Sequence, residues 1–250
     1  MKPRPATAVE IIERLEREDL VSLPTLTREE IAATGSLQAS PLTDVAATEY
    51  WSGLGEDARR AATVAALRSL SARGLIDLDD GAVDPGGEVA LKPSAELGVI
   101  LAARRQPAFI AIGSEPRRGL FGYVRLYGIV DEERHLNIVL LERATPDAVH
   151  EFALCKPSTA ASEVSRWACG PRAEGDLATG EASVRTVEVI RPSREGPRRQ
   201  RLAIVVTDDS TTIGDFDEEG QLSAQRPIAE AALRERLRVM LTRAGSATAG

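Results

Sequence analysis

The feature that most constrains the fold is a change of hydrophobic period at Pro107. Before it, a period of three or four positions recurs, as in Leu97, Ile100, Leu101 and, at i+7, Arg104 of a segment that Ser94 can cap and Pro107 ends. After it the runs FIAI, FGYVRLYGIV and HLNIVLL alternate with period two and are separated by the polar stretches EPRRG and DEERH, so three antiparallel strands are expected. Thr145-Pro146-Asp147 then has the form of a helix start, with a hydroxyl at the N-cap, Pro at N1 and an acid on the positive dipole end. The same order returns in SVRTVEVI, RLAIVVT, a strand near Thr212–Phe216 or Gln221–Ala224, and a helix from about Pro227 to Arg243. Two landmarks share a displacement of 81 positions, Pro116-Arg117-Arg118 to Pro197-Arg198-Arg199 and Pro146 to Pro227. A duplicated βββα unit follows, whose halves would form one antiparallel sheet of about six strands with helices on one face.

The segment before Pro107 reads differently. Thr7 with Glu10, and Thr27 with Glu30, are capping boxes, which predict a helix over about 8–20, interrupted at Leu23-Pro24, and a short second one stopped at Gly35. From Gly35 to Gly55 an ordered loop is expected, and from Glu56 to Arg73 a third helix with Gly74 at its left-handed end. The run LIDLDDGAVDPGGEVAL then predicts a hairpin turning at Asp80-Gly81. Helix, glycine and hairpin together have the shape of a winged helix. The expected organisation is a helical, winged-helix-like region over 1–92, a duplicated βββα domain over 93–243 and a disordered tail over 244–250, an α+β fold overall.

Composition narrows the partners. With 31 basic and 38 acidic residues among 250 the chain carries a formal charge of −7, which opposes a surface devoted to nucleic acid, and 4% aromatic residues leave few platforms for bases or sugars. No apolar run approaches the roughly 20 residues of a membrane span, and the N-terminal stretch lacks the apolar core of a secretory signal, so a cytoplasmic location with no membrane contact is expected. Cys155 and Cys169 are too far apart for CxxC chemistry and read as small buried hydrophobes. The basic residues are 28 arginines against three lysines, a bias that a GC-rich genome explains as readily as a ligand.

Reactive constellations are missing from the pattern. A phosphate loop with Gly-Lys-Ser/Thr does not occur, and Gly53, Gly55 and Ala58 spell G-x-G-x-x-A with no strong strand before them. His135 and His150 are the only histidines, which is too few for a local zinc motif. On one helix His150 and Cys155 would point about 140° apart, which gives an exposed His, a core Cys and no catalytic pair. The run Asp215, Asp217, Glu219, Gly220 imitates half of a calcium loop but has Arg226 where a bidentate Glu is required, so a hairpin turn is the better reading. Gly113-Ser114-Glu115 lacks the second Gly of a nucleophile elbow. Neither catalytic residue, cofactor nor metal is expected, and the chain reads as a non-enzyme. DNA contact by Arg59, Arg60, Arg68 and Arg73 on the third helix would be opposed by Asp77, Asp79, Asp80 and Asp84 on the wing. The remaining candidates are the two arginine tips, Arg117 with Arg118 and Arg198 with Arg199. Read as structure, they are soluble hairpin turns; read as function, they grip an acidic helix of a partner protein.

The order of ALRSLSARGL, AELGVILAARRQP, FGYVRLYGI, HLNIVLLE and GDFDEEGQLSAQRPIAEAALRERL resembles the EspG-type chaperones of actinobacterial type VII (ESX) secretion, over roughly Leu20 to Arg243. The resemblance implies two pseudo-symmetric α+β halves and a cytosolic, non-enzymatic chaperone or adaptor that binds the exposed helical tip of a partner, such as a secreted helical heterodimer. The alternative reading is a winged-helix transcriptional regulator with a C-terminal sensing or dimerisation domain.

Overall fold

A computed structural model describes residues 7–35, 50–83, 89–115, 124–131, 136–145, 147, 149–170, 182–193, 195–207, 209–217 and 220–242. The fold is α+β. The chain forms two compact units, one of residues 1–107 with 145–153, the other of residues 108–144 with 154–250. The division therefore falls after Pro107, beside an expectation of 92/93, and the expected tail over 244–250 lies outside the described residues.

The first unit holds helices α1 (Ala8–Arg17), α2 (Arg28–Ala33), α3 (Glu56–Ala72) and α4 (Ala95–Arg105) with strands β1 (Leu20–Thr27), β2 (Ile76–Val83) and β3 (Val89–Pro93). Both capping boxes are formed: Thr7 Oγ1 accepts from the Glu10 amide at 3.2 Å, and Thr27 Oγ1 from the Glu30 amide at 3.2 Å. Segment 20–27, read as a break, is a strand. Val21 and Leu23 are buried around exposed Ser22, the phase breaks at Pro24 so that Leu26 is buried and Thr25 exposed, and an edge position tolerates the proline. Gly74, at φ 69°, ends α3 as its sequence implied. The hairpin does not turn at Asp80-Gly81. Strand β2 runs through that pair to Val83, with a register shift between Leu78 and Val83, and the turn itself lies outside the described residues. Ser94 caps α4 by accepting from the Leu97 amide.

A helix does not open at Thr145. Thr145 Oγ1 accepts from the Val149 amide at 3.3 Å and donates to the Val149 carbonyl at 3.1 Å, which closes a turn into strand β7 (Val149–Cys155). His150 and Phe152 are buried on that strand, so the histidine is a core residue rather than an exposed one. Helix α5 follows as Pro157–Cys169. Pro146, expected at N1, lies outside the described residues.

The second unit is built on β4 (Phe109–Ser114), β5 (Val124–Asp131), β6 (Leu136–Ala144), β8 (Ser183–Arg191), β9 (Arg198–Val206), β10 (Thr211–Asp215) and β11 (Arg226–Pro227), ordered β6-β5-β4-β8-β9-β10-β11 and antiparallel throughout. Helix α6 spans Glu230–Thr242, so Pro227 belongs to a strand and not to the helix start. Asp217 and Gly220 form the hairpin turn expected of the imitation calcium loop, with the Gly220 amide on the Asp217 carbonyl at 3.1 Å.

Alternation along β8 assigns its side chains to two faces. Ser183, Arg185, Val187, Val189 and Arg191 point to the helices: Arg185 bonds the last carbonyls of α5, and Arg191 bonds Met240 on α6. Leu233, Leu237, Met240 and Leu241 are the buried stripe of α6, and Ala160, Ala161, Val164 and Ala168 that of α5, whose small residues let the two helices pack closely. Trp167 of α5 packs against β4, where a Cβ on Gly113 would stand 2.9 Å from its ring. The other face of the sheet carries Val184, Thr186, Glu188 and Ile190 from β8; Ile190 is buried there and Val184 exposed, so this face is open in part, and its open part bears the site.

Candidate functional site

Register brings one row of side chains into line across the open face. Glu142 pairs with Arg125, Arg125 with Ile112, Ile112 with Glu188 and Glu188 with Arg201. The row thus carries an acid and a base on each side of a central isoleucine. Its two ends differ in exposure. Glu142 is buried and accepts from Tyr127 Oη at 2.8 Å, with Arg125 at 3.9 Å. Arg201, by contrast, is 44% exposed and Glu188 17%. One end is core and the other is surface.

Around the exposed end, Ile112, Ser114, Thr186, Glu188, Arg201 and Phe216 line an open groove of about 160 Å³. Ser114 and Thr186 are cross-strand partners and share a hydroxyl hydrogen bond of 2.7 Å. Glu188 Oε1 accepts from Arg199 Nη1 at 3.2 Å and Arg201 Nη2 at 3.3 Å. The Arg201 guanidinium lies 5.3 Å from the centre of the Phe216 ring, close enough for a cation–π contact. Val184, 45% exposed, and Val205 extend the apolar border. The surface offers hydroxyls, a guanidinium pair and apolar walls, which are means of recognition.

Of the four arginines singled out in the sequence, Arg117 and Arg118 lie outside the described residues. Arg198 and Arg199 stand at the turn end of the β8–β9 hairpin, Arg198 in its closing pair with Arg191. They open strand β9 after a turn that has Gly196 at φ 113°, and as consecutive strand residues they point to opposite faces. Arg199 belongs to the open face through its pairing with Ile190; Arg198 is opposite Arg191 and forms an exposed pair with Glu195 at 3.6 Å. Arg199 and Arg198 therefore cannot grip one ligand together. The proposed DNA contacts of α3 are partly engaged in structure, since Arg73 bonds both oxygens of the buried Glu30, at 3.0 and 3.1 Å, and the Thr25 carbonyl at 2.6 Å. Compared with models of protein families and with curated proteins, the sequence matches none.

Thiol chemistry does not converge on the groove. Cys155 is fully buried, its thiol 3.7 Å from the Val139 carbonyl, and burial pushes its pKa up to about 12, with the Glu163 carboxylate adding to the shift and Arg143 opposing it. Burial also raises Cys169, which the Glu230 charge reinforces and hydrogen bonding with Thr211 opposes. His150 and Cys155, five positions apart on a strand, point to opposite faces. Among the described residues no group of three or more His, Cys, Asp or Glu side chains is placed to hold a metal ion. Nor is any helix there long and apolar enough to cross a membrane.

Sequence reasoning missed Glu188, Arg201, Ile112 and Phe216. The spacing of Arg199 and Arg201 by two was legible as one strand face. Which acid faces them depends on the β8–β9 register, which joins positions 13 apart.

Proposed function

We propose that the protein is a non-enzymatic cytosolic chaperone or adaptor that holds a helical segment of a partner protein on the open face of β4, β8 and β9, in the manner of the EspG-type secretion chaperones that the sequence resembles. The observation that carries this reading is the groove over Ile112, Glu188, Arg201 and Phe216, with about 160 Å³ of space. It is smaller than the several hundred Å³ of a typical small-molecule site. Phe216 and Arg201 in its lining are of the residue types enriched at protein interfaces.

The order of elements supports the same reading. Four strands followed by a helix occur twice in chain order, β4–β5–β6–β7–α5 and β8–β9–β10–β11–α6, where two runs of βββα were expected. Equivalent elements start 74 positions apart at Val124 and Arg198 and 73 apart at Pro157 and Glu230, in place of the 81 of the proline landmarks. Strands β4 and β8 sit side by side at the centre.

The reading is tested by co-expression with small helical proteins encoded beside this gene, followed by size-exclusion chromatography. Co-elution is expected with the parent protein and loss of it with Ile112→Arg or Phe216→Ala. A second reading, a winged-helix regulator, draws on α3 passing through Gly74 into the β2–β3 hairpin, although β1 hydrogen-bonds to β7 and not to that hairpin. Sequence-specific retardation of DNA in a gel shift at moderate salt, without a co-eluting protein, would favour it over the chaperone.

A further inference from the structure

We propose that Arg199 and Arg201 form a carboxylate-recognition site for an acidic residue on an amphipathic helix of the partner, and that Glu188 occupies this site in the free protein as an internal competitor. The inference rests on the open face being a docking surface and specifies what it selects. Two guanidinium groups converge on a single carboxylate oxygen, so among the described residues the cluster carries two positive charges against one negative. Both contacts are single-point, at 3.2 and 3.3 Å, whereas charge-assisted bonds in good geometry are shorter, about 2.7–2.9 Å, and arginine binds carboxylates best through two parallel N–H donors. Arg201 reaches Glu188 from the directly opposite position on β9 and Arg199 from a diagonal one, and both engage the same oxygen, Oε1.

The buried counterpart in the same row shows what a structural pair looks like here. Glu142 is enclosed and receives the Tyr127 hydroxyl at 2.8 Å, whereas the Arg199 and Arg201 side chains are 52% and 44% exposed. Phe216 holds the Arg201 plane from one side, and Ile112 and Val184 provide the apolar footing on which neighbouring residues of the helix would rest. A carboxylate arriving between apolar side chains would take a two-point contact with Arg201 and release Glu188 to water.

The test uses two fluorescein-labelled 21-residue helical probes built from Leu, Ala and Glu, or from Leu, Ala and Gln, titrated by fluorescence anisotropy at low salt. Parent protein, Glu188→Gln, Arg199→Gln and Arg201→Gln are compared, with thermal melting as the folding control. The acidic probe is expected to bind the parent protein and to bind Glu188→Gln about two- to fivefold more tightly, the scale of one exposed charge pair. Loss of about tenfold is expected in Arg201→Gln, since a bond to a charged group is removed. Unchanged affinity in Glu188→Gln overturns the competitor. Equal binding of the two probes overturns acid selection and leaves the docking surface standing. Should neither probe bind while the co-expressed helical protein still co-elutes, the acid site falls alone; absence of both would end the docking reading as well.

Discussion

Arg185 is the residue whose removal the fold should tolerate least. It is 1% exposed at the start of β8, and its guanidinium donates to Glu115 Oε2 at 3.2 Å, to the Ala168 carbonyl at 2.8 Å, to the Gly170 carbonyl at 3.2 Å and to the Trp167 carbonyl. It therefore neutralises a buried acid and caps the end of α5, where carbonyls have no partner within the helix. Arg185→Met keeps the volume and removes both roles. Breaking a buried ion pair from one side costs about 3–5 kcal/mol. Water can recover part of the carbonyl bonding at the half-buried Trp167 and Gly170, so a total of about 4 kcal/mol is expected, a large share of the 5–15 kcal/mol typical of a domain. Glu115→Gln should cost less, about 1–2 kcal/mol, because Ser183 Oγ still donates to the side chain at 2.7 Å and Arg185 still caps the helix. Combining Arg185→Met with Glu115→Met should recover about 2 kcal/mol relative to the sum of the single changes, since the stranded charge is gone. Urea denaturation read by the fluorescence of Trp51 and Trp167 supplies these values from the midpoints at constant slope. A cost below about 1 kcal/mol for Arg185→Met, or coupling under about 0.5 kcal/mol in the cycle, would refute the reasoning.

Two further outcomes follow from the same packing. A Cβ on Gly128 would stand 2.2 Å from two carbons of the Phe109 ring, so Gly128→Val should lower stability by about 3 kcal/mol through overpacking, measurable as a reduced urea midpoint. The Cys155 thiol, with an ordinary value of 9.0 raised to about 12, favours the protonated form on folding; its contribution is complete below pH 9 and declines as pH rises toward 12. The stability gap between the parent protein and Cys155→Ala should accordingly shrink by about 1.4 kcal/mol from pH 8 to pH 10, and a constant gap would contradict the burial argument.

Local chemistry was the legible part of the sequence. Capping boxes at Thr7 and Thr27 involve only residues three apart and are found as read, as are Ser94 and Gly74. The period-two runs located β4, β5, β6, β8 and β9. What failed were places where a local signal competed with pairing. Thr145-Pro146-Asp147 spells a helix start, yet VHEFALC pairs as a strand, and the same threonine hydroxyl closes a turn instead. Leu20–Thr27 was masked by Pro24, which disfavours a strand everywhere except at an edge. The site was less legible than the fold. Arg198 and Arg199 are neighbours in sequence and separated by a sheet, while Glu188 and Arg201 are separated in sequence and meet through register, a property that strand alternation does not encode.

The adjacency of β4 and β8 also bears on how the polypeptide is made. Ile112 finds its partner at Glu188, so a nascent chain that has emerged only through β6 presents Phe109, Ile110, Ala111 and Ile112 as an uncapped apolar ribbon. That ribbon is a template for association with another unfinished copy until translation delivers β8 to zip it shut. Slow synthesis between residues 145 and 183 would lengthen this vulnerable interval, and aggregation should track that pause rather than the stability of the finished molecule.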